Sequence, residues 1–265
     1  MKKFVLFFIS MFLILGTVDI AAKKAPAKGK RKTSSATLAV TKGETKSYGD
    51  YLTTQVFSVK KGMSNVIKVE YPISGDSKMV NTIRKHIKEL LDDKFAGSLE
   101  TPDALLRSAI KGYRDVNFGQ EGEQIEQEIS LNYVTPKEVT IFNEGYVYMG
   151  GAHGMPWEVG QTILIDNGQI FDESMLPAFS KMKPYIIKGL CKYFQCTESG
   201  LSNELFDSPN NLEYPSTVFI TGEGINFIYA PYEIAPYSAG IPKAVVPATS
   251  EIINMLTPAG QKFFK

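Results

Sequence analysis

The feature that most constrains the fold is a series of short segments, in the middle of the chain, in which apolar and polar residues alternate. These segments cover residues 130–133, 139–142 and 146–149. Alternation with a period of two places successive side chains on opposite faces of a β-strand. Turn-forming residues at 135–137 and 143–145 separate the segments, so the pattern predicts a β-meander.

Helical patterns flank the meander and define the fold class. Apolar residues recur at helical spacing over residues 76–95, and Thr-Pro-Asp at 101–103 is typical of the start of a second helix. Hairpins are predicted from strands at 161–165 and 169–171 and from strands at 217–221 and 225–230, with further helices at 184–194 and 251–256. Strands are grouped and helices lie at the margins, without strict β–α alternation. The sequence therefore predicts an α+β fold with a mainly antiparallel sheet.

The folded part is expected to extend over residues 56–265. This length is enough to bury a real core, and the stretch contains neither an internal linker nor a repeat of fixed period. We expect one compact body, which can divide into an N-terminal lobe at residues 56–145 and a C-terminal lobe at residues 146–265.

The N-terminus is typical of an export signal. Met1, Lys2 and Lys3 supply positive charge, and residues 4–18 form an uncharged, apolar run. A membrane-spanning helix needs about 20 apolar residues, so this run fits a signal peptide better than an anchor, although an uncleaved anchor stays an alternative. We expect cleavage after Ala22, and a mature protein that is secreted or periplasmic.

A basic segment follows the predicted signal. Residues 23–32 carry six positive charges among Ala, Pro and Gly and no acidic residue, and we expect residues 23–55 to form a disordered linker. The basic segment is either a solvated spacer or a loose contact for anionic lipid, wall polymer or nucleic acid. From Thr33 onward, 21 basic residues stand against 27 acidic ones, and this balance excludes a nucleic-acid-binding body.

The two cysteines, Cys191 and Cys196, lie five positions apart at the end of a helical pattern. On a continuous helix their Cα atoms are farther apart than the roughly 7 Å that a disulfide tolerates. A bridge therefore requires the helix to end before Cys196. An oxidising compartment favours that bridge, and the sequence leaves the bridged and free forms open.

A glycine-rich turn carries the first group of candidate site residues: Gly150, Gly151, Ala152, His153 and Gly154. Glycines at a strand end permit positive φ and close backbone approach, so His153 is expected to be presented at a turn. Three alternatives are open for this histidine: a ligand contact, a hydrogen bond to a neighbouring carbonyl, or a metal ligand with Glu158. The His-x4-Glu spacing differs from known zinc motifs, and we expect neither a metal nor a cofactor.

A proline-rich loop supplies the second group, Tyr232, Glu233 and Tyr237. Pro231, Pro236 and Pro242 stiffen this loop. A rigid loop with tyrosines loses little conformational entropy on contact, which suits a binding surface. Alternatively the tyrosines cap the sheet and Glu233 accepts from a backbone N–H. If this loop lies beside the glycine-rich turn, the two form one composite site, and a binding module would add an open patch that includes Trp157.

A catalytic site is poorly supported. His86 and His153 are the two imidazoles of the chain, and no Gly-x-Ser-x-Gly elbow is present. His86 lies beside the apolar stripe of the first predicted helix, where a structural role is expected. Paired carboxylates for glycan hydrolysis would have to come from Glu158, Asp166, Asp172 or Glu233.

Four sequence motifs resemble those of a known family. They are Ile-Lys-Val-Glu-Tyr-Pro at 67–72, Tyr-Val-Tyr-Met-Gly-Gly-Ala-His-Gly at 146–154, Ile-Asp-Asn-Gly-Gln-Ile-Phe at 165–171 and Phe-Ile-Tyr-Ala-Pro-Tyr-Glu-Ile-Ala-Pro-Tyr-Ser-Ala-Gly at 227–240. Over residues 56–256 the chain resembles the paired domains of unknown function in the extracytoplasmic part of RsiV-type anti-sigma factors and in PdaC-type peptidoglycan deacetylases. The resemblance implies an α+β envelope module, which in RsiV-type members recognises lysozyme. We expect neither a sigma-binding segment nor a deacetylase domain in this chain.

These observations predict an exported, non-catalytic binding module that recognises an envelope protein or glycan, with a lysozyme-like protein as one candidate partner. The competing hypothesis is an envelope hydrolase that acts on peptidoglycan or another wall polymer, with His153 as base or ligand and Glu233 as its partner. A third is a purely structural component. An enzyme requires His153 and a carboxylate within reach of one another in a cleft.

Overall fold

The computed structural model describes residues 38–62, 64–115 and 124–264. The predicted signal peptide, and the predicted linker up to residue 37, lie outside the described residues. Leu38 to Lys265 forms one compact unit. Within the described residues, no helix combines the length and the apolar character that crossing a bilayer requires.

A six-stranded sheet forms the larger part of this unit. Its strands lie in sequence order: β1 Val40–Tyr48, β2 Leu52–Lys61, β3 Asn65–Gly75, β4 Gln124–Val134, β5 Glu138–Tyr148 and β6 Met155–Leu164. Neighbouring strands are antiparallel except β3 and β4, which are parallel because two helices lie between them in the chain. The prediction of an α+β fold with a mainly antiparallel sheet is confirmed.

The two intervening helices, α1 Ser77–Leu91 and α2 Asp103–Asp115, cover one face of this sheet. Asp76 caps α1, since its side chain accepts from the Met79 N–H at 2.9 Å. The apolar stripe of each helix packs on the strands in the first core, which includes Ile67, Val69, Met79, Ile83, Ile87, Leu105, Leu106, Ile110, Ile129 and Ile141.

A three-stranded antiparallel sheet forms the smaller part: β7 Thr217–Thr221, β8 Gly224–Ile228 and β9 Lys243–Val246. Three helices accompany it, α3 Phe179–Phe194, α4 Ser250–Met255 and α5 Pro258–Gln261. Single 3-10 turns occur at Glu173–Met175, Leu201–Asn203, Pro209–Asn211, Tyr237–Ala239 and Lys262–Phe264. Strands and helices enclose a second core, which includes Phe171, Met182, Ile186, Leu190, Ile225, Phe227, Tyr229 and Val246.

The two sheets meet where β7 packs on the outer face of β5 and β6. The Thr140 and Thr162 hydroxyls, 2.7 Å apart, bind the backbone of Ile220 at 2.6 Å and 2.7 Å. The Phe219 ring lies against Gly160, where a Cβ atom would come within 2.4 Å of it. Satisfied buried hydroxyls and a close aromatic contact thus fix the smaller sheet over this part of the larger one.

The structure corrects the predicted domain boundaries. Strands β1 and β2 occupy residues that were predicted as linker, because Tyr48 and Lys46 bind the buried Glu70 carboxylate at 2.6 Å and 3.2 Å and Leu52 is buried in the first core. The predicted lobe boundary at residue 145 falls inside β5. The first core extends to Ile165 and the second begins at Phe171.

One predicted turn and one predicted strand also differ from the structure. Strand β5 runs without interruption through residues 143–145, because Gly145 is needed for close packing: a Cβ atom there would lie 2.2 Å from both the Glu126 carbonyl and the Trp157 ring. The predicted strand at 169–171 is reduced to one bridge between Ile163 and Ile170.

Both cysteines are free thiols in the structure. Helix α3 ends at Phe194, Gln195 adopts the left-handed conformation with φ 54°, and the Cys196 N–H donates to the Cys191 carbonyl at 3.0 Å. This is the helix end that a bridge requires. Burial and the neighbouring Cys196 thiol raise the pKa of the Cys191 thiol.

We expect oxidation to join Cys191 to Cys196 in the folded protein. The helix end brings the two thiols into contact, and the raised pKa of Cys191 leaves little thiolate at neutral pH, so bridging should accelerate as the pH rises. Intact-mass measurement after oxidised glutathione treatment should show the loss of two hydrogens, and Cys191→Ser should abolish it. Persistence of both thiols at pH 9 would contradict the expectation.

Candidate functional site

The glycine-rich turn connects β5 to β6 and presents His153 at the surface. Gly150 and Gly151 adopt φ values of 92° and 95°, which residues other than glycine rarely adopt. Gly154 is buried because the backbone passes close to Tyr146, whose ring would lie 2.3 Å from a Cβ atom at this position. Ala152 is exposed at the tip of the turn. The glycines therefore shape the connection, and His153 is the side chain that it displays.

Both ring nitrogens of His153 have partners. Nδ1 lies 2.9 Å from the Gly154 carbonyl oxygen, and Nε2 lies 3.2 Å from the Tyr232 hydroxyl. A carbonyl oxygen only accepts, so Nδ1 carries a hydrogen that it donates to Gly154. The hydrogen bond to a neighbouring carbonyl is thus present, together with a contact to the tyrosine loop.

The tyrosine loop lies beside the glycine-rich turn. The Tyr237 ring stacks on His153 with centroids 3.9 Å apart, and the Tyr237 hydroxyl donates to the Gly154 carbonyl at 2.7 Å. The Tyr232 ring centroid is 6.3 Å from that of His153 and 5.7 Å from that of Tyr237. These three residues form what we call the ring cluster, in which the turn and the loop lie side by side, as one composite site requires.

Tyr232 is held in an unfavourable backbone conformation. Its φ is 67°, in the left-handed region that is uncommon for a residue with a Cβ atom, and its side chain is 40% exposed. Such a conformation costs about 1–3 kcal/mol and is concentrated at functional sites. The loop thus displays a large aromatic side chain to solvent at the expense of backbone energy.

Glu233 has a local structural role. Its carboxylate accepts from the Ala230 N–H at 2.7 Å and so closes the start of the loop. This agrees with the alternative in which Glu233 binds a backbone N–H. The residue shapes the loop that carries Tyr232 and Tyr237.

Trp157 lies on β6, away from the ring cluster, and is half-buried. Its Nε1–H donates to the Asn143 side chain at 3.4 Å, and its ring packs against Gly145. The structure places Trp157 with Tyr146 in the lining of a groove, whereas the rings recorded against His153 are those of Tyr232 and Tyr237.

An open groove of about 520 Å³ crosses β3 to β6 next to the ring cluster. Tyr146 links the two, since it lines the groove and its hydroxyl accepts from the Gly154 N–H at 3.0 Å. Charged side chains line much of the groove: Lys68, Glu126, Glu128, Glu144 and Glu158. Burial, together with Glu158 and Glu128, raises the pKa of the Glu144 carboxyl. Tyr146 was not predicted as a site residue, because its position in an alternating segment is equally typical of an ordinary strand.

The carboxylates predicted as alternatives for hydrolysis have other partners in the structure. Glu158 pairs with Lys243 at 2.8 Å, Asp166 pairs with Lys78 at 2.8 Å, and Asp172 caps a 3-10 turn through Ser174. His86 is buried, with Nδ1 2.9 Å from the Thr82 carbonyl oxygen. Within residues 38–62, 64–115 and 124–264, no group of three or more His, Cys, Asp or Glu side chains could hold a metal.

Comparisons with known proteins bear on the fold. Residues 169–249 match the family model described as protein of unknown function DUF3298. A solved DUF3298 family protein from Pseudomonas aeruginosa PAO1 is 15% identical with a TM-score of 0.52, and one from Bacteroides fragilis NCTC 9343 is 14% identical with a TM-score of 0.58. Each alignment covers 84% of this chain and 96% of the other. No curated protein sequence matches the chain. The chain thus contains a DUF3298 domain at residues 169–249, in a fold similar to those of two solved DUF3298 family proteins.

Proposed function

We propose that this chain is an exported cell-envelope module that binds a protein or glycan ligand through the ring cluster of His153, Tyr232 and Tyr237. The observation that carries the proposal is the exposed, backbone-strained Tyr232 beside His153, which is itself stacked on Tyr237. Rigid aromatic side chains at a surface supply contact area at low entropic cost. The groove next to Tyr146 gives the ligand a second contact region.

Export rests on the N-terminal sequence, in which a basic start precedes a fifteen-residue apolar run. The resemblance to RsiV-type and PdaC-type proteins adds the envelope as the place of action and a lysozyme-like protein as a candidate ligand. The residues that carry the resemblance at 146–154 and 227–240 are those that meet in the ring cluster. The proposed binding surface therefore contains residues of the two most distinctive motifs in the sequence.

The first test compares ligand binding by the mature wild type and by a His153→Ala, Tyr237→Ala double variant. Both forms, starting at residue 23, are immobilised and exposed to envelope extract, to lysozyme and to soluble peptidoglycan fragments. Loss of two stacked rings should weaken binding roughly tenfold or more, as truncation of a central interface residue does. Tyr185→Ala is the matched control, because Tyr185 is an aromatic residue of α3 whose hydroxyl binds Glu251 outside the site.

Equal recovery of every ligand by wild type and double variant would remove the ring cluster as the binding surface. Turnover of peptidoglycan by the mature protein would favour the hydrolase instead. Thermal melts of the wild type and both variants establish that each is folded before binding is compared.

A further inference from the structure

Phe206 is the most exposed of the large hydrophobic side chains in the described part of the chain. It is 59% exposed, compared with 42% for Ile73 and 40% for Tyr232. Its backbone N–H donates to the Ile234 carbonyl at 2.9 Å, so Phe206 is held directly against the loop that carries Tyr232. Two of the three exposed large hydrophobic residues therefore lie on adjoining segments.

The segment around Phe206 is organised by its own hydrogen bonds. The Asp207 carboxylate accepts from the Ser208 N–H at 2.6 Å and from the Asn211 amide at 2.9 Å. The Asn211 amide and the Ser208 N–H lower the pKa of Asp207, which keeps the carboxylate ionised. Short 3-10 turns precede and follow the segment. Phe206 is thus displayed by a bonded turn, and exposed apolar side chains of this kind mark interaction sites.

The chain segment that carries both Phe206 and Tyr232 is acidic. Residues 193–242 contain six acidic side chains and no lysine, arginine or histidine. All six are exposed: Glu198, Glu204, Asp207, Glu213, Glu223 and Glu233. One positive charge reaches this stretch from outside it, since Lys183 of α3 contacts Asn210, four positions after Phe206 in the sequence. A ligand that covers Phe206 and Tyr232 together therefore meets a negative field and is favoured if it is positively charged.

We infer that Phe206 belongs to the same binding surface as Tyr232, and that this surface takes a basic protein segment with apolar side chains. The inference rests on the proposed function and narrows its ligand to a protein. A phenylalanine ring offers no hydrogen bond to sugar hydroxyls, whereas aromatic anchors inside a polar rim are characteristic of protein interfaces. Glu204 and Asp207, two positions before and one position after Phe206 in the sequence, are both exposed and would supply that rim.

The test uses two synthetic peptides of equal length as probes, one composed of lysine and leucine and one of glutamate and leucine. Fluorescence anisotropy at low salt measures their binding to the mature wild type and to Phe206→Ser. We expect the lysine–leucine peptide to bind, the glutamate–leucine peptide not to bind, and Phe206→Ser to weaken the first about tenfold. Ile73→Ser is the matched control, because Ile73 is also an exposed large hydrophobic residue but lies on β3.

Charge reversal tests the inference that the ligand is a basic segment. A Glu204→Lys, Asp207→Lys double variant should weaken the lysine–leucine peptide more than Glu44→Lys, which alters an exposed carboxylate on β1. Equal effects of the two reversals, or equal effects of Phe206→Ser and Ile73→Ser, would overturn the inference. So would preferential binding of the glutamate–leucine peptide.

The two proposals fail in different ways. If Phe206→Ser binds the peptide like wild type while the His153→Ala, Tyr237→Ala variant has lost it, the role of Phe206 is refuted and the ring cluster stands. If the ring-cluster variant binds the peptide like wild type while Phe206→Ser does not, the shared surface is refuted, and the proposed function is decided by the recovery of envelope ligands alone. Weakening by both changes supports one surface.

Discussion

Glu138→Gln should stabilise the folded protein at pH 8 by about 3 kcal/mol and should remove most of the loss of stability between pH 5 and pH 8 that this group causes. Glu138 begins β5 and is 6% exposed, and its Oε2 atom has no hydrogen-bond partner in the structure. Burial raises the pKa of this carboxyl from 4.5 to about 7, against the opposing effects of Lys137 and Tyr133. Glutamine keeps the shape and removes the charge.

The direction of this pH dependence follows from the pKa values of Glu138 in the unfolded and the folded protein. In the unfolded chain Glu138 ionises near its ordinary pKa of 4.5, and in the folded protein near 7. The folded state therefore retains the proton over this interval, and the protonated carboxyl contributes its full stabilisation below pH 4.5. That contribution is lost as the pH rises through 7, because the buried group must then ionise without a partner for Oε2.

Urea unfolding of wild type and Glu138→Gln at pH 5 and pH 8 measures the effect. The difference between the two proteins isolates Glu138 from every other titrating group. The difference in the free energy of unfolding should be small at pH 5 and large at pH 8. In a thermal melt, each 1 kcal/mol of this difference would correspond to roughly 2–4 °C in the melting temperature. Glu44→Gln, on the exposed face of β1, should behave like wild type. Parallel pH profiles for wild type and Glu138→Gln would refute a raised pKa.

Periodicity was sufficient to predict the elements that face a core. The stripe of Met79, Ile83 and Ile87 is buried as predicted. The apolar face of a helix that packs on a sheet appears in the sequence as apolar residues at helical spacing. Strand β1 gives no such signal, since it is an edge strand with mostly exposed side chains. Its stabilising partner, Glu70, is 22 residues from Tyr48 in sequence, a separation that local patterns do not report.

The candidate site could also be predicted in part, from residues that indicate an unusual backbone. Glycines around His153 and prolines around Tyr232 marked unusual backbone, and the structure places both residues in one cluster. Phe206 could not be predicted, because a single exposed phenylalanine in a polar loop resembles a buried one until its solvent exposure is known. The uniform acidity of residues 193–242 was present in the sequence and would have directed attention to that region.

The position at which the folded body begins yields the prediction with the largest effect. A chain that starts at Val56, where the sequence predicted the boundary, should fail to fold cooperatively, whereas a chain that starts at Thr33 should fold like the mature protein. The shorter chain lacks β1 and the first residues of β2, and with them Lys46, Tyr48 and Thr54. These three side chains bind the Glu70 carboxylate at 3.2, 2.6 and 2.7 Å.

The expected loss follows from what remains around Glu70. This carboxylate is 2% exposed, and without the three side chains it keeps the Leu131 N–H at 3.3 Å. Breaking a buried charge network costs about 3–5 kcal/mol. Removal of the buried Leu52 side chain costs about 2–3 kcal/mol more. Together these losses approach the about 5–15 kcal/mol that stabilises a typical domain.

Circular dichroism melts of the two truncated chains, with Glu70→Gln in the longer one as a third sample, measure the effect. The longer chain should melt in one sharp transition, Glu70→Gln should melt at lower temperature, and the chain from Val56 should show no transition. A sharp melt of the shorter chain at the wild-type temperature would mean that β1 and the Glu70 network contribute nothing to stability. The intermediate position of Glu70→Gln separates the effect of the carboxylate from that of the missing strand, because that variant keeps every strand and changes only the charge on which Lys46, Tyr48 and Thr54 converge.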